Sequence, residues 1–217
     1  MSLMDEVLPH VDVRVVAFCL LKERLHVLVC SASANGYELP GAPVLLNCSL
    51  EETAARRLGE LTGIRETYLE QLYTYGEPQR ANPRLISVAY FALLPANRLS
   101  KTPPHPACWF AVDALPALTG DHAEIIAYAL RRLRYKLEYS AVGFQLLPER
   151  FTLSELQRTY EMILGEKLDK RNFRRRILRA GIIEPTTECR TGEGRPARLY
   201  RYRPDAVAEV KARRLFP

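Results

Sequence analysis

Positive charge is placed so unevenly along this 217-residue chain that one evenly mixed fold is the wrong expectation. Residues 141–217 hold 17 Lys/Arg against 10 Asp/Glu, a balance of +7, while residues 1–140 carry 14 against 15, a balance of −1. The net charge of +6 therefore arises entirely in the last third. A near-neutral body with a basic appendage is the pattern of a two-domain protein whose second part meets nucleic acid or another anionic surface. At roughly 100–200 residues per domain the length permits one large domain or two modest ones. With 47% hydrophobic and 26% charged residues, the composition excludes collagen, a disordered tail and a disulfide-dense mini-protein. The cysteines at 19, 30, 48, 108 and 189 form no CxxC pair, which predicts reduced thiols rather than a disulfide framework or structural zinc. His105 and Cys108, set among prolines with no second ligand pair, read as a loop. Apolar runs such as residues 13–21 contain Arg14 and fall short of the roughly 20 residues of a membrane helix. No basic-then-apolar segment opens the sequence, so the expectation is a cytoplasmic protein that does not engage membrane.

Residues 11–21 and 26–30 are β-branched and aliphatic runs around the polar Lys22-Glu23-Arg24, a hairpin pattern. Pro40-Gly41 reads as punctuation. Ser49 with Glu52 makes a capping box and Gly63 a C-terminal stop, predicting a helix of about four turns between them. Strands are expected at 67–75, 85–94 and 109–112, and a helix at 121–139, capped by Asp121 and burying Ile125, Ile126, Ala129, Leu130, Leu133 and Leu137. Residues 144–151, with Pro148, mark the shift in composition, so the boundary is placed between domains 1–143 and 144–217. Beyond it come a helix begun by Thr152 and ended by Gly165, a second from about Asp169 to Ala180 stopped by Gly181, a Gly/Arg-rich turn and a strand-like 198–202. Two helices joined by a short turn and followed by a β-ribbon form a winged helix-turn-helix.

The second of these helices carries Lys170, Arg171, Arg174, Arg175, Arg176 and Arg179, six cations in ten residues. At 100° per residue Phe173, Ile177 and Ala180 share one face, and Arg171, Arg175 and Arg179 lie opposite with Asn172 beside them. Arg and Asn make bidentate contacts to guanine and adenine in the major groove, and Lys170, Arg174 and Arg176 could reach phosphates. Leu178 falls on the polar side, an irregularity consistent with fraying. Arg195 and Arg198 supply cations to the following hairpin. A solvated basic face or a partner for acidic protein is the plainer alternative; the helix-turn-helix context favours duplex DNA.

Residues 41–64 resemble the Nudix box, G-x5-E-x7-R-E-U-x-E-E-x-G-U with U a large aliphatic residue. In that family, glutamates on successive helical turns hold Mg2+ against a diphosphate. With Gly63 as the final glycine, Arg56, Leu58, Glu60 and Ile64 fall at their expected places. Ala42 stands for the first glycine, Cys48 for the early glutamate, Arg57 for the glutamate of the R-E pair and Leu61 for the last glutamate. Three of four acidic positions are lost, and Arg57 puts a fixed cation where the metal would sit. The expectation is a pocket in which Arg57 pairs with a ligand's phosphates, with no Mg2+ site, no required cofactor and no catalytic residue. Arg56 and Glu60 could equally be an ordinary helix-face pair.

Taken together, Leu39-Pro40-Gly41, Leu72-Tyr73-Thr74-Tyr75-Gly76, Asp121-His122-Ala123-Glu124, Arg171-Asn172-Phe173-Arg174-Arg175 and Gly194-Arg195-Pro196-Ala197 resemble the Nudix-related transcriptional regulators of the NrtR type. The resemblance implies an α/β Nudix-like mixed sheet with flanking helices joined to a C-terminal winged helix. It further implies a bacterial homodimeric repressor of NAD metabolism genes, a palindromic operator, and ADP-ribose or a related nucleotide as effector. Its DNA-reading helix falls on residues 170–179 and its wing on 195–198. It makes the 75–84 loop a candidate effector wall, where Tyr75 could stack on a base and Arg80 could meet a phosphate; a plain surface hairpin is the alternative. His122 is expected in a capping or interdomain contact. Family members with a complete box hydrolyse ADP-ribose, and related regulators control sugar catabolism. An ADP-ribose pyrophosphatase and a sugar-pathway regulator therefore stand as alternatives.

Overall fold

The computed structural model describes residues 8–32, 36–100, 107–138, 140–191, 196–203 and 205. Arg195 of the expected wing, His105 and most of the Gly/Arg-rich turn lie outside the described residues.

Strands β1 (His10–Leu21) and β2 (Arg24–Ala32) form the expected hairpin, turned by Lys22 and Glu23 at φ +47° and +59°. Two successive left-handed residues match the twist that a type I′ turn imposes on its strands. β3 (Gly36–Glu38) pairs antiparallel with β2. β4 (Gly41–Pro43) pairs antiparallel with β1, Gly41 opposite Arg14. This corrects the reading of Pro40-Gly41 as simple punctuation, because pairing with a distant strand organises three residues too few to show a pattern of their own. Helix α1 (Leu50–Thr62) begins at a complete Ser49–Glu52 capping box and ends at Gly63, φ +76°. β5 (Tyr68–Tyr75), β6 (Leu85–Leu94), β7 (Ala107–Ala111) and α2 (His122–Leu137) follow. The strands make one sheet in the order β3-β2-β1-β6-β5, with β4 on β1 and β7 on β2. Val15, Val16, Ala17 and Phe18 of β1 are buried in succession, the sign of a central strand covered on both faces.

Then come β8 (Arg150–Thr152), α3 (Leu153–Leu164), α4 (Lys170–Ala180), β9 (Ile183–Arg190) and β10 (Ala197–Tyr202), with the strands ordered β8-β10-β9. β8 lies in the stretch that sequence reads only as a boundary. It pairs with β10, and Phe144, Leu146, Leu147 and Phe151 around it are buried. Helix α3 starts at a second capping box, Thr152–Glu155, and both α3 and α4 end on left-handed glycines, Gly165 and Gly181. The Tyr160 and Phe173 rings pack at 5.5 Å, joining α3 to α4 through a core that includes Leu156, Ile163 and Ile177.

The chain divides into two compact units, one of residues 1–18, 27–93 and 99–126 and the other of 19–26, 94–98 and 127–217. The division falls within α2, between Ile126 and Ala127. Among the described residues no helix is long and apolar enough to cross a membrane.

Candidate nucleic-acid interface and effector site

Helix α4 is shaped by its ends and by one buried stripe. Asp169 caps it by accepting the Asn172 backbone N–H at 2.8 Å, and Phe173 and Ile177 bury its inner face. Lys170, Arg171, Asn172, Arg175, Arg176 and Arg179 are exposed. Leu178 is half exposed, as the helical plot places it, but the helix continues to Ala180 and closes at Gly181, so it does not fray at Leu178. Arg174 turns inward: it is half-buried, and its Nη2 donates to Ser154 Oγ on α3 at 3.2 Å. Arg175 Nη2 donates to Asn172 Oδ1 at 2.9 Å, which orients the guanidinium along the exposed face.

The ion pairs of this unit are segregated. Arg150 pairs with Glu188, Arg190 with Glu155, Arg201 with Glu184, Arg158 with Glu23 at 2.9 Å, Lys167 with Glu161 at 3.5 Å and Arg203 with Asp205 at 2.7 Å. Among the described residues, no carboxylate lies within ion-pair distance of the six α4 cations or of Arg198, which is exposed on β10. Among the described residues, the basic surface is neutralised around the helix and left unneutralised on it.

In the other unit, Arg57 Nη1 reaches Glu60 Oε2 at 3.2 Å, and Arg56 Nη1 lies 3.8 Å from Cys48 Sγ. Glu60 is thus paired with Arg57, three residues back, and not with Arg56 as the alternative helix-face reading had it. Arg80 sits 5.7 Å from the Tyr75 ring centroid, so the structure brings those two candidates together. Its fork is occupied by Asp121, Nε to Oδ2 at 2.6 Å and Nη2 to Oδ1 at 2.9 Å, while Nη1 donates to Ser87 Oγ at 2.8 Å. These bonds hold the Asp121 carboxyl below its ordinary range. His122 is buried, and its Nδ1 accepts the Leu39 backbone N–H at 3.2 Å. Burial, reinforced by the nearby Arg14 charge, pushes its pKa down and keeps that nitrogen free to accept.

Sequence reading missed a further charged group. Arg14 donates from Nε to Asp12 Oδ2 at 2.8 Å and from Nη1 to Glu38 Oε2 at 3.0 Å and Leu39 O at 3.3 Å. The available signal was an arginine inside an otherwise aliphatic strand; read alone, it served only to exclude a membrane span.

A model of the NrtR DNA-binding winged helix domain matches residues 143–202. The ADPR responsive transcriptional repressor NtrR of Acinetobacter baylyi is 35% identical over 206 residues, spanning 89% of this chain and 82% of that one. The crystal structure of Shewanella oneidensis NrtR complexed with a 27mer DNA is 32% identical and superposes with a TM-score of 0.81, covering 94% of this chain and 96% of that one. The NUDIX domain of the same Shewanella protein complexed with ADP ribose is 26% identical, with a TM-score of 0.50 over 58% of this chain and 89% of that one. With identity sustained across the Nudix-like sheet and the winged helix alike, the chain belongs to the NrtR family of transcriptional regulators.

Proposed function

We propose that the chain is a DNA-binding repressor that responds to ADP-ribose or a related nucleotide, with residues 1–143 as sensor and 144–217 as reader, acting as a homodimer on a palindromic operator in NAD metabolism genes. The observation that carries this reading is the unneutralised cation face of α4, held on a helix whose other side is anchored by Phe173 and Ile177. Cations without carboxylate partners are available to phosphates and base edges, and their counterions are released on binding. The Shewanella relative's structures with DNA and with ADP ribose support both halves of the proposal. Lys170 and Arg176 are assigned to phosphates, Arg171, Arg175 and Arg179 to the groove, and Arg195 and Arg198 to the wing. Asn172 shares its amide between the groove and Arg175. Arg174, tied to Ser154, acts at the edge of the contact.

On this reading the sensor binds nucleotide without cleaving it. The residues do not fit a resident Mg2+: Cys48, Arg57 and Leu61 replace its carboxylates, Leu61 is buried, and Glu60 is paired with Arg57. A hard divalent cation needs several oxygen ligands held together. Among the described residues no group of three or more His, Cys, Asp and Glu could hold a metal. On the same reading Arg57, with Arg56 beside it, is assigned to the diphosphate, Tyr75 to stacking on the base and Arg80 to a phosphate. Repression would change because the nucleotide binds one dimer geometry better than the other.

The test is fluorescence anisotropy with operator duplex selected from genomic fragments, with and without ADP-ribose. Wild type should bind with strong salt dependence, and Arg171→Ala and Arg175→Ala should each lose about 1–3 kcal/mol of specific affinity. Unchanged affinity in both variants removes the assignment of α4. Hydrolysis of ADP-ribose with Mg2+ at ordinary enzyme rates removes the binding-only sensor.

A further inference from the structure

Among the described residues from 144 onward, Leu178 is the one large apolar side chain left open to solvent, at 50% exposure. It sits on α4 among the cations, and the buried stripe of that helix, Phe173 and Ile177, does not include it. At 3.6 residues per turn it falls about 20° from Arg171 and about 60° from Arg175, so it shares the outward ridge with both.

This exposure does not come from a loose helix end. Gly181 donates its backbone N–H to Leu178 O at 3.3 Å as it closes α4, which ties the backbone of Leu178 into the cap. A helical side chain leans over the turn before its own, where Leu178 meets the positions of Arg174 and Arg175. Each of those guanidiniums has a partner of its own: Arg174 Nη2 donates to Ser154 Oγ at 3.2 Å and Arg175 Nη2 to Asn172 Oδ1 at 2.9 Å. Leu178 keeps half its surface in water between them.

The charge around it selects a polyanion, and within DNA a phosphate gains nothing from a leucine. In the major groove the apolar feature of the base edges is the C5-methyl of thymine, while the forks of Arg171 and Arg175 suit guanine. We propose that Leu178 reads a thymine by van der Waals contact with that methyl group, beside the bases met by Arg171 and Arg175. The inference rests on the assignment of α4 as the DNA-reading helix and deepens it by naming a residue and a base. Leu178 lies in the last turn, so the groove has to follow α4 that far, as the assignment of Arg179 also requires.

Deoxyuridine lacks only this methyl group and pairs as thymine does. In the anisotropy assay on selected operator duplex, each thymine is replaced in turn by deoxyuridine, and wild type is compared with Leu178→Ala. At one position in each half-site wild type should lose on the order of threefold to tenfold in affinity, the scale of one buried methyl group. There Leu178→Ala should bind the thymine and deoxyuridine duplexes alike, and at every other thymine the two proteins should respond equally. Wild type indifferent to deoxyuridine at all positions overturns the inference, and so does a Leu178→Ala protein with wild-type sensitivity at each. Weakened self-association of Leu178→Ala with that sensitivity intact would place the side chain between chains, which overturns it as well. Alanine is the best helix former, so the variant should fold. If it does not, Leu178→Ser decides by the same criterion. Wild type that binds the operator no more tightly than an unrelated duplex removes the reading of α4 and this inference with it, whereas specific binding without methyl sensitivity removes the inference alone.

Discussion

Arg80 commits all three guanidinium nitrogens, two to Asp121 and one to Ser87, in a position where only 12% of its side chain is exposed. Two parallel N–H···O bonds to one carboxylate are the strong form of this interaction. Removing the cation strands a half-buried carboxylate, so Arg80→Ala should cost about 1–3 kcal/mol in urea unfolding. The pH dependence follows from the direction of the Asp121 shift. Its folded pKa lies below the ordinary value of 3.8, so the pair's stabilisation is complete above that pH and is lost as pH falls through the folded value. The gap between wild type and Arg80→Ala should therefore close in acid, and a gap unchanged from pH 7 to pH 2 would remove Asp121 as the cause. A nucleotide phosphate that recruits Arg80 has to compete with Asp121. The loop showed Arg80 in sequence, but its partner lies 41 residues on, and nothing local announces such a pair. Asp12 and Glu38 were missed for the same reason: each is an ordinary residue until β1 and β3 bring it to Arg14.

Helix ends were legible because their chemistry is written within four residues. Ser49 with Glu52, Thr152, Asp169 and the glycines at 63, 165 and 181 all sit where the caps form. β4 and β8 were not legible, since three-residue strands exist only by virtue of β1 and β10 beside them. α4, the proposed reading helix, depends on its cap because six like charges on one short element oppose its formation. Asp169→Ala should destabilise the protein by about 1 kcal/mol, and Asp169→Asn, which also caps well, should restore most of that. Equal melting temperatures for wild type and Asp169→Ala would show that packing of Phe173 and Ile177 alone holds the helix. The hairpin turn at Lys22 and Glu23 offers a gain instead. Both residues adopt left-handed φ, which costs non-glycine residues roughly 1–2 kcal/mol, so Glu23→Gly should stabilise the chain by about 1 kcal/mol. The exposed Glu23–Arg158 pair that it removes contributes little. A lower melting point for Glu23→Gly would show that this pair matters more than the turn.

At the scale of the molecule, the division of charge seen in the sequence becomes a division of labour, yet the basic unit is less uniformly basic than its net charge suggests. Arg150, Arg190 and Arg201 are held by Glu188, Glu155 and Glu184, so much of the positive charge on α3 and the small sheet is balanced on site, and α4 keeps its own. A single α4 spans only a few base pairs, and 11 residues of helix give one monomer too little contact for tight operator binding. The proposed homodimer would supply a second α4, and two-fold symmetry would then set the half-sites about one helical turn apart, roughly 34–36 Å. Inserting about five base pairs between the half-sites turns them to opposite sides of the duplex while adding contour that a nonspecific binder would welcome. Affinity for the lengthened operator should fall toward the nonspecific level, on the order of a thousandfold or more, and the stoichiometry on the native operator should be two chains per duplex. If the lengthened operator bound as tightly as the native one, each reader would be acting alone, and the coupling of nucleotide to repression through dimer geometry would have no physical basis.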